Sequence, residues 1–181
     1  MKGKLIVVSG PSGSGKSTAT KLVRDMLQIP LSISATTRSP RAGEIDGKDY
    51  FFLEKEDFEK RIANEEFYEY ALVHGNYYGT LREEVESRIN SGQNVILEID
   101  VQGGIIVKEK NSEAILVFFK APNMEVLAKR LEDRKTDTKD VIELRLANAK
   151  KELEYEKEYD YTVVNDNLEK ACQELINIIN K

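Results

Sequence analysis

The chain has 181 residues, 27 of them lysine or arginine and 32 aspartate or glutamate, which gives a net charge of −5. This length suits one domain or one domain with insertions, and 40% hydrophobic with 33% charged residues excludes a membrane bundle. The acidic balance argues against a general nucleic-acid binder, and the single cysteine, Cys172, excludes an internal disulfide and favours a cytoplasmic location.

Short apolar runs predict the strands of a sheet. Most of them are continuously apolar rather than alternating, which is typical of strands buried on both faces of a parallel sheet. Helical patterns lie between several of the runs, and Asn165 or Asn167 is suited to cap the last helix. The alternation predicts an α/β fold. The five predicted strands are residues 4–9, 31–34, 94–99, 114–119 and 161–164.

Two segments interrupt this alternation. Residues 35–82 contain a Pro/Gly/Arg-rich stretch and then an aromatic-rich stretch, which indicates an inserted subdomain. Residues 129–151 are helical and of mixed charge with a weak apolar face, which favours a mobile cover. The acidic residues 152–160 are interpreted as a solvated helix face. Within one domain spanning 1–181, the predicted core comprises residues 1–34, 83–128 and 152–181.

A phosphate-binding loop follows the first apolar run. Residues 10–17 read GPSGSGKS and match G-x-x-x-x-G-K-[ST] between a strand and an amphipathic helix. Glycines let backbone N–H groups surround an anion, and the helix N-terminus adds a partial positive charge. Lys16 supplies charge for the β- and γ-phosphates, and the Ser17 hydroxyl can bind Mg²⁺. The predicted triphosphate site comprises Gly10, Pro11, Ser12, Gly13, Ser14, Gly15, Lys16, Ser17 and Thr18.

The loop alone does not distinguish an ATPase, a GTPase and a small-molecule kinase. No Asn-Lys-x-Asp base reader of the GTPase type is present. Arg38 and Arg41, near Pro40 and Gly43, suit a second phosphate because an arginine fork donates two parallel hydrogen bonds. Taken alone, this pair favours the interpretation as two solvated surface arginines. Tyr50 adds a phenol that can donate to the same phosphate.

Two carboxylates complete the set of candidate residues. Glu69 lies in an apolar setting, and one carboxylate can accept both the N1–H and the 2-amino group of a purine that carries them. Adenine would leave such a charge unpaired. Asp100 follows the third apolar run and shares a face with Glu98, at the edge where open α/β sheets bind ligands. It could serve a Mg²⁺-bound water or a sugar hydroxyl.

Together and in this order, the motifs resemble the guanylate kinase family. They are the phosphate loop, residues 36–44, 47–50 and 78–80, and ILEIDVQG at 96–103. The resemblance covers essentially the whole chain and implies transfer of the γ-phosphoryl group of MgATP to GMP, giving ADP and GDP, in purine nucleotide metabolism and GMP recycling. It implies a P-loop core with a five-stranded parallel sheet, a nucleotide-monophosphate-binding insertion at 35–82 and a helical lid at 129–151.

The resemblance also implies the roles of individual residues. The GMP phosphate would be held by Arg38, Arg41, Tyr50 and Tyr78, and the guanine would be read by Ser34, Glu69 and Thr80. Gly79 would also belong to the GMP site. Asp100 would lie near the GMP ribose and, through water, the metal; Asn165 would lie by the adenine, with helix capping as a rival role. The catalytic cations would be Lys16, Arg38, Arg130, Arg134 and Arg145.

One departure from the family pattern stands out, because Lys135 follows Arg134 where similar proteins usually have glycine. Two alternatives stay open: a kinase for another nucleoside monophosphate, and a non-catalytic interaction module of the same fold. The complete phosphate loop argues against the second. The expected partners are ATP and GMP, with no nucleic acid, membrane or obligatory protein partner.

Overall fold

The computed structural model describes residues 2–181. Eight strands and seven helices of this part of the chain follow one another in the order β1 (Leu5–Ser9), α1 (Lys16–Leu27), β2 (Ala35–Thr36), β3 (Phe51–Phe52), α2 (Lys55–Ala63), β4 (Phe67–Val73), β5 (Asn76–Leu81), α3 (Arg82–Asn90), β6 (Val95–Glu98), α4 (Val101–Lys110), β7 (Ile115–Lys120), α5 (Met124–Asp133), α6 (Lys139–Leu153), β8 (Tyr161–Val164) and α7 (Leu168–Asn180). No helix within residues 2–181 is long and apolar enough to cross a membrane.

The core sheet is parallel and has the strand order β6-β1-β7-β8. Every residue of β1 is buried, as expected for a central strand covered on both faces. The predicted α/β class and parallel sheet are confirmed, but the sheet has four strands rather than five. Residues 31–34 are not a strand: Leu31 is 53% exposed, and the segment leads from α1 to a second sheet.

Helices cover both faces of the core sheet. On one face, α1 and α7 pack against the side chains of Ile6 and Val8. On the other, Val85 of α3 and Val107 of α4 pack against Leu5 and Val7. The alternating side chains of β1 therefore feed two separate apolar clusters. Asn167 caps α7 by accepting a hydrogen bond from the backbone of Lys170, and Cys172 lies in the first cluster.

A second sheet, with the order β3-β2-β5-β4, comes entirely from residues 35–81. Its strands pack on α2 through Phe58, whose ring stacks on Phe67 with the ring centroids 4.3 Å apart. β4 and β5 form an antiparallel hairpin. This small sheet has its own apolar cluster, and it reaches the core sheet mainly through α3 and α4.

The helices α5 and α6 pack on each other through a small cluster around Leu127, Leu131 and Ala149. Of the 15 residues of α6, which is described in full, only Ala149 is buried. The predicted weak apolar face is therefore present. Because few apolar contacts hold this helix, its position depends on polar contacts made at its ends.

The acidic residues 152–160 do not form one helix. α6 ends at Leu153, a single 3-10 turn spans Glu156–Glu158, and β8 follows. Glu156 pairs with Lys120 at 2.9 Å and Asp160 pairs with Lys108 at 3.0 Å. The interpretation as a solvated helix face is therefore wrong, because these acids fix the chain to the core sheet.

Candidate active site

The phosphate loop is held open between β1 and α1. Gly13 and Gly15 both have φ of +87°, a backbone conformation that L side chains rarely adopt. Across the loop, the Lys16 ammonium donates to the carbonyl of Gly10 at 3.1 Å. The buried side chain of Asn165 donates to the carbonyl of Ser14 at 2.9 Å. These contacts fix the loop before any nucleotide binds, with its N–H groups available to an anion.

A cavity of about 380 Å³ lies directly over the loop. It is lined by all nine predicted loop residues and also by Glu98, Ile99, Asp100, Arg134 and Glu152. The sheet edge and the ends of α5 and α6 thus meet at the phosphate loop. A second cavity of about 510 Å³ lies beside it and includes Thr18, Arg130, Arg134 and Asn165 in its lining.

Two acids at the end of β6 face this region and make different contacts. Glu98 accepts hydrogen bonds from the hydroxyls of Ser17 and, at 2.8 Å, of Thr20. Asp100 caps α4 by accepting from the backbone of Gly103 at 2.7 Å. The sequence placed Glu98 on the same face as Asp100 but missed its contact with the loop helix. The signal was available, because an acid ending a strand next to β1 must lie beside the start of α1.

Glu152, from the last turn of α6, is the second acid that sequence reasoning missed. Its carboxylate lines the cavity over the phosphate loop. Burial raises the pKa of Glu152, the charge of Lys16 lowers it and the charge of Asp100 raises it. A carboxyl group therefore lies at the edge of the cavity over the phosphate loop.

Arg38 is held end-on by Glu44. Its two terminal nitrogens donate to the two carboxylate oxygens of Glu44 at 3.0 and 2.9 Å. The hydrogen bond lowers the pKa of Glu44 and raises that of Arg38. The guanidinium carbon lies 5.4 Å from the ring centroid of Tyr50, whose ring meets that of Tyr78 edge-on at 6.1 Å. Arg38, Tyr50 and Tyr78 are thus brought together.

Arg41 is joined to this group through its backbone. Its N–H donates to Glu44 at 2.7 Å while its side chain is exposed, so Glu44 contacts both predicted phosphate-binding arginines. Glu44 was recognised only as part of a motif. In the structure, its carboxylate fixes the orientation of the Arg38 guanidinium.

Glu69 and Thr80 face each other across the β4–β5 hairpin. The Thr80 hydroxyl donates to Glu69 Oε1 at 2.7 Å. Burial raises the pKa of Glu69, the Thr80 bond lowers it and the charge of Asp100 raises it. The neighbouring Gly79 packs directly under the ring of Phe67, where a side chain would collide. Ser34 and Thr80 both line a smaller cavity of about 170 Å³ that reaches Ser17 and Glu98.

The three arginines of α5 and α6 are placed differently. Arg134 caps the end of α5 and lines the cavity over the loop. Arg145 donates to the hydroxyl of Ser12 at 3.0 Å. Arg130 donates to the backbone carbonyls of Asn165 at 2.8 Å and Ser14 at 3.5 Å, so its guanidinium supports the loop from outside.

Lys135 occupies the connection between α5 and α6. Its φ is +51°, the left-handed conformation that glycine adopts without cost. Lys135 therefore adopts a backbone conformation that is typical of glycine and strained for a residue with a side chain.

A P-loop follows the first strand of a parallel sheet, Arg38 and its neighbouring tyrosines lie beside a separate small sheet, and Arg134 and Arg145 lie over the loop. This arrangement defines an α/β protein of the P-loop kinase class. Comparison with known proteins narrows the class. The family model "Guanylate kinase" matches residues 2–181.

Relatives and solved structures agree with that match. A guanylate kinase of Fusobacterium nucleatum is 60% identical over 98% of this chain and 96% of its own length. One of Clostridium perfringens is 49% identical over 96% of this chain and 81% of its own. The crystal structure of guanylate kinase from Anaplasma phagocytophilum superposes with a TM-score of 0.73 at 32% identity, covering 99% of this chain and 85% of that one. Shikimate kinase from Bacteroides thetaiotaomicron, with a TM-score of 0.53 at 16% identity, shares the fold alone.

The chain belongs to the guanylate kinase family, whose members phosphorylate GMP with ATP to give GDP. The resemblance drawn from the motifs is confirmed, as is the expected enzyme class.

Proposed function

We propose that the chain binds MgATP on the phosphate loop and GMP against the small sheet, and that it transfers the γ-phosphoryl group in line between them. The observation that carries this proposal is the half-buried Glu69 carboxylate beside the Thr80 hydroxyl. Ionised, it offers two adjacent acceptors, which match the N1–H and 2-amino donors of guanine. Adenine has no such donor pair, so AMP would leave this charge unpaired against the base.

On the donor side, the nine loop residues from Gly10 to Thr18 take the ATP phosphates, and Asn165 borders the adenine. Mg²⁺ prefers one or two protein oxygens together with waters and phosphates. The Ser17 hydroxyl, with Glu98 against it and Asp100 in the same cavity, suits that ion. Ser17 would hold Mg²⁺ directly and Asp100 through water; the ion, when bound, neutralises charge on the phosphates.

On the acceptor side, Arg38, Arg41, Tyr50 and Tyr78 hold the GMP phosphate. Glu44 holds the Arg38 guanidinium end-on through both terminal nitrogens, so the guanidinium is oriented before GMP arrives. Ser34, Glu69, Gly79 and Thr80 surround the base, and Asp100 lies toward the ribose. No general base is required, because the attacking group is already a phosphate anion at neutral pH.

During transfer, Lys16, Arg38 and the arginines of α5 and α6 stabilise the charge on the moving phosphoryl group. Arg134 and Arg145 reach the loop directly, and Arg130 holds the loop backbone. The parts of the chain then divide as follows: core 1–34, 83–128 and 152–181, GMP-binding insertion 35–82, and lid 129–151. Lid closure excludes water, which would otherwise accept the phosphoryl group.

The reaction belongs to cytoplasmic purine nucleotide metabolism, including GMP recycling, and needs no nucleic acid, membrane or obligatory protein partner. The test is a substrate panel in which purified protein and MgATP are mixed with GMP, AMP, CMP or UMP. ADP release and the diphosphate product are measured. We expect GDP from GMP and little turnover of the others. Faster turnover of another nucleotide would contradict the GMP assignment and favour a kinase for that monophosphate.

A further inference from the structure

Asp137, in the connection between α5 and α6, lies against the guanidinium of Arg145. Arg145 Nη2 donates to Asp137 Oδ1 at 3.4 Å, and Arg145 Nε lies 3.4 Å from Oδ2. One edge of the guanidinium therefore faces the carboxylate. The remaining terminal nitrogen, Nη1, donates to the Ser12 hydroxyl in the phosphate loop at 3.0 Å. Asp137 and Ser12 thus contact opposite sides of one arginine.

We propose that Asp137 is a positioning residue that holds Arg145 side-on, so that Nη1 faces the phosphate loop when nucleotides are bound. The proposal rests on the transfer role proposed above for Arg145. A long arginine side chain has many rotamers, and a carboxylate that selects one of them removes the ordering cost from the reaction step. Charge stabilisation is most effective when the donor is already oriented.

Asp137 has no other evident task in this connection. The capping of α6 is performed by its neighbour, Thr138, which accepts from the backbone of Val141. Arg145 is the one cation within 4 Å of Asp137 in the part of the chain that the structure describes. The Asp137 side chain is only 13% exposed, and its Oδ2 makes no hydrogen bond within residues 2–181. Burying a carboxylate that has an unsatisfied oxygen costs free energy. The nearby guanidinium of Arg145 is the contact that offsets this cost at Asp137.

The length of the contact also fits a guiding role. Charge-assisted pairs usually measure about 2.7–2.9 Å. Arg38 and Glu44 meet that value at 2.9 Å, whereas both Arg145–Asp137 distances are 3.4 Å. The looser pair orients Arg145 and still lets it shift toward a phosphoryl group.

The test is a double-mutant cycle with Asp137→Asn and Arg145→Lys, measured as kcat and KM for both nucleotides together with the unfolding temperature. Asn keeps the shape of Asp137 and removes its charge, and Lys cannot take side-on pairing. We expect D137N to lower kcat about tenfold, with KM and the unfolding temperature little changed. In the R145K background, D137N should cause no further loss. Asp140→Asn, an exposed acid in the first turn of α6, is the matched control and should leave kcat unchanged.

Other outcomes distinguish failure of this proposal from failure of the transfer role of Arg145, on which it rests. If R145K lowers kcat but D137N does not, or if D137N costs the same in both backgrounds, Asp137 does not act through Arg145. A matching fall in the unfolding temperature and in kcat for D137N would likewise overturn the proposal by showing a structural role. If R145K itself leaves kcat unchanged, the transfer role of Arg145 fails, and this inference fails with it.

Discussion

The core sheet and the helices α5 and α6 are held in opposite ways. Every residue of β1 is buried, with apolar clusters on both faces of the sheet, whereas α6 buries one residue of 15. α6 instead reaches the phosphate loop through polar side chains such as Arg145 and Glu152. The core sheet therefore fixes the phosphate loop through apolar packing beneath it. The helices α5 and α6 instead place charged side chains over the loop through polar contacts.

The largest effect is expected at Lys16, whose charge lies at the phosphate loop beside the packed core sheet. Lys16→Met keeps the aliphatic length and removes the ammonium, so kcat/KM should fall about 100- to 1000-fold, the typical cost of losing one preorganised stabiliser. The unfolding temperature should change little, because Lys16 lies at the loop and not in the apolar clusters. Lys21→Met, exposed on the same helix, is the control. Equal losses in both variants would contradict a specific phosphate role.

The packing half of the comparison can be tested with two leucines. Leu116, in β7, is buried, and Leu116→Ala should lower the free energy of unfolding by about 2–5 kcal/mol because it leaves a cavity. Leu144, in α6, is 61% exposed, and Leu144→Ala should change it by less than about 0.5 kcal/mol. Urea unfolding measures both values. Similar losses would show that α6 is packed as firmly as the sheet.

Most of the features that could be predicted from the sequence depend on patterns within a short stretch of residues. The continuous apolar run of β1 predicted a buried parallel strand, and GPSGSGKS predicted the loop that follows it, because both signals are local. Residues 31–34 misled for the same reason: an apolar run predicts a strand only if a partner strand is available, and Leu31 is exposed instead.

Contacts between distant segments were harder to predict. The bond of Ser17 to Glu98 joins residues 81 positions apart and depends on β6 lying next to β1. Glu152 lies in a run of acids that looked solvated, and its place over the loop depends on where α6 ends. The pairing of Glu69 with Thr80 needs the register of one hairpin.

A smaller effect is expected from Glu152, which α6 places over the phosphate loop. Glu152→Gln removes a negative charge from the cavity that takes the ATP phosphates, so the KM for ATP should fall about 3- to 10-fold. Steady-state kinetics with saturating GMP measures this. Glu154→Gln, an exposed neighbour, should leave the KM unchanged. A rise in the KM for ATP on Glu152→Gln would show that the carboxylate helps to bind the nucleotide.

The smallest effect is expected at the connection between the two helices. Lys135→Gly relieves the left-handed backbone strain at φ +51° but adds chain entropy to the unfolded state. The two terms oppose each other, so the free energy of unfolding should change by less than about 1 kcal/mol. Urea unfolding of this variant, compared with Lys150→Gly at an exposed position within α6, separates relief of strain from loss of helix propensity. A destabilisation as large as that of Lys150→Gly would contradict strain at Lys135.

The central claim is that the ionised Glu69 beside Thr80 selects guanine, and the ratio of kcat/KM for GMP to that for AMP tests it most directly. Glu69→Gln keeps the size and loses the paired acceptors, so this ratio should fall about 10- to 100-fold, as expected for hydrogen bonds to a charged group. Glu66→Gln, in the connection just before β4, where Glu66 pairs with Arg61, should leave the ratio unchanged. An unchanged ratio in Glu69→Gln would contradict the claim.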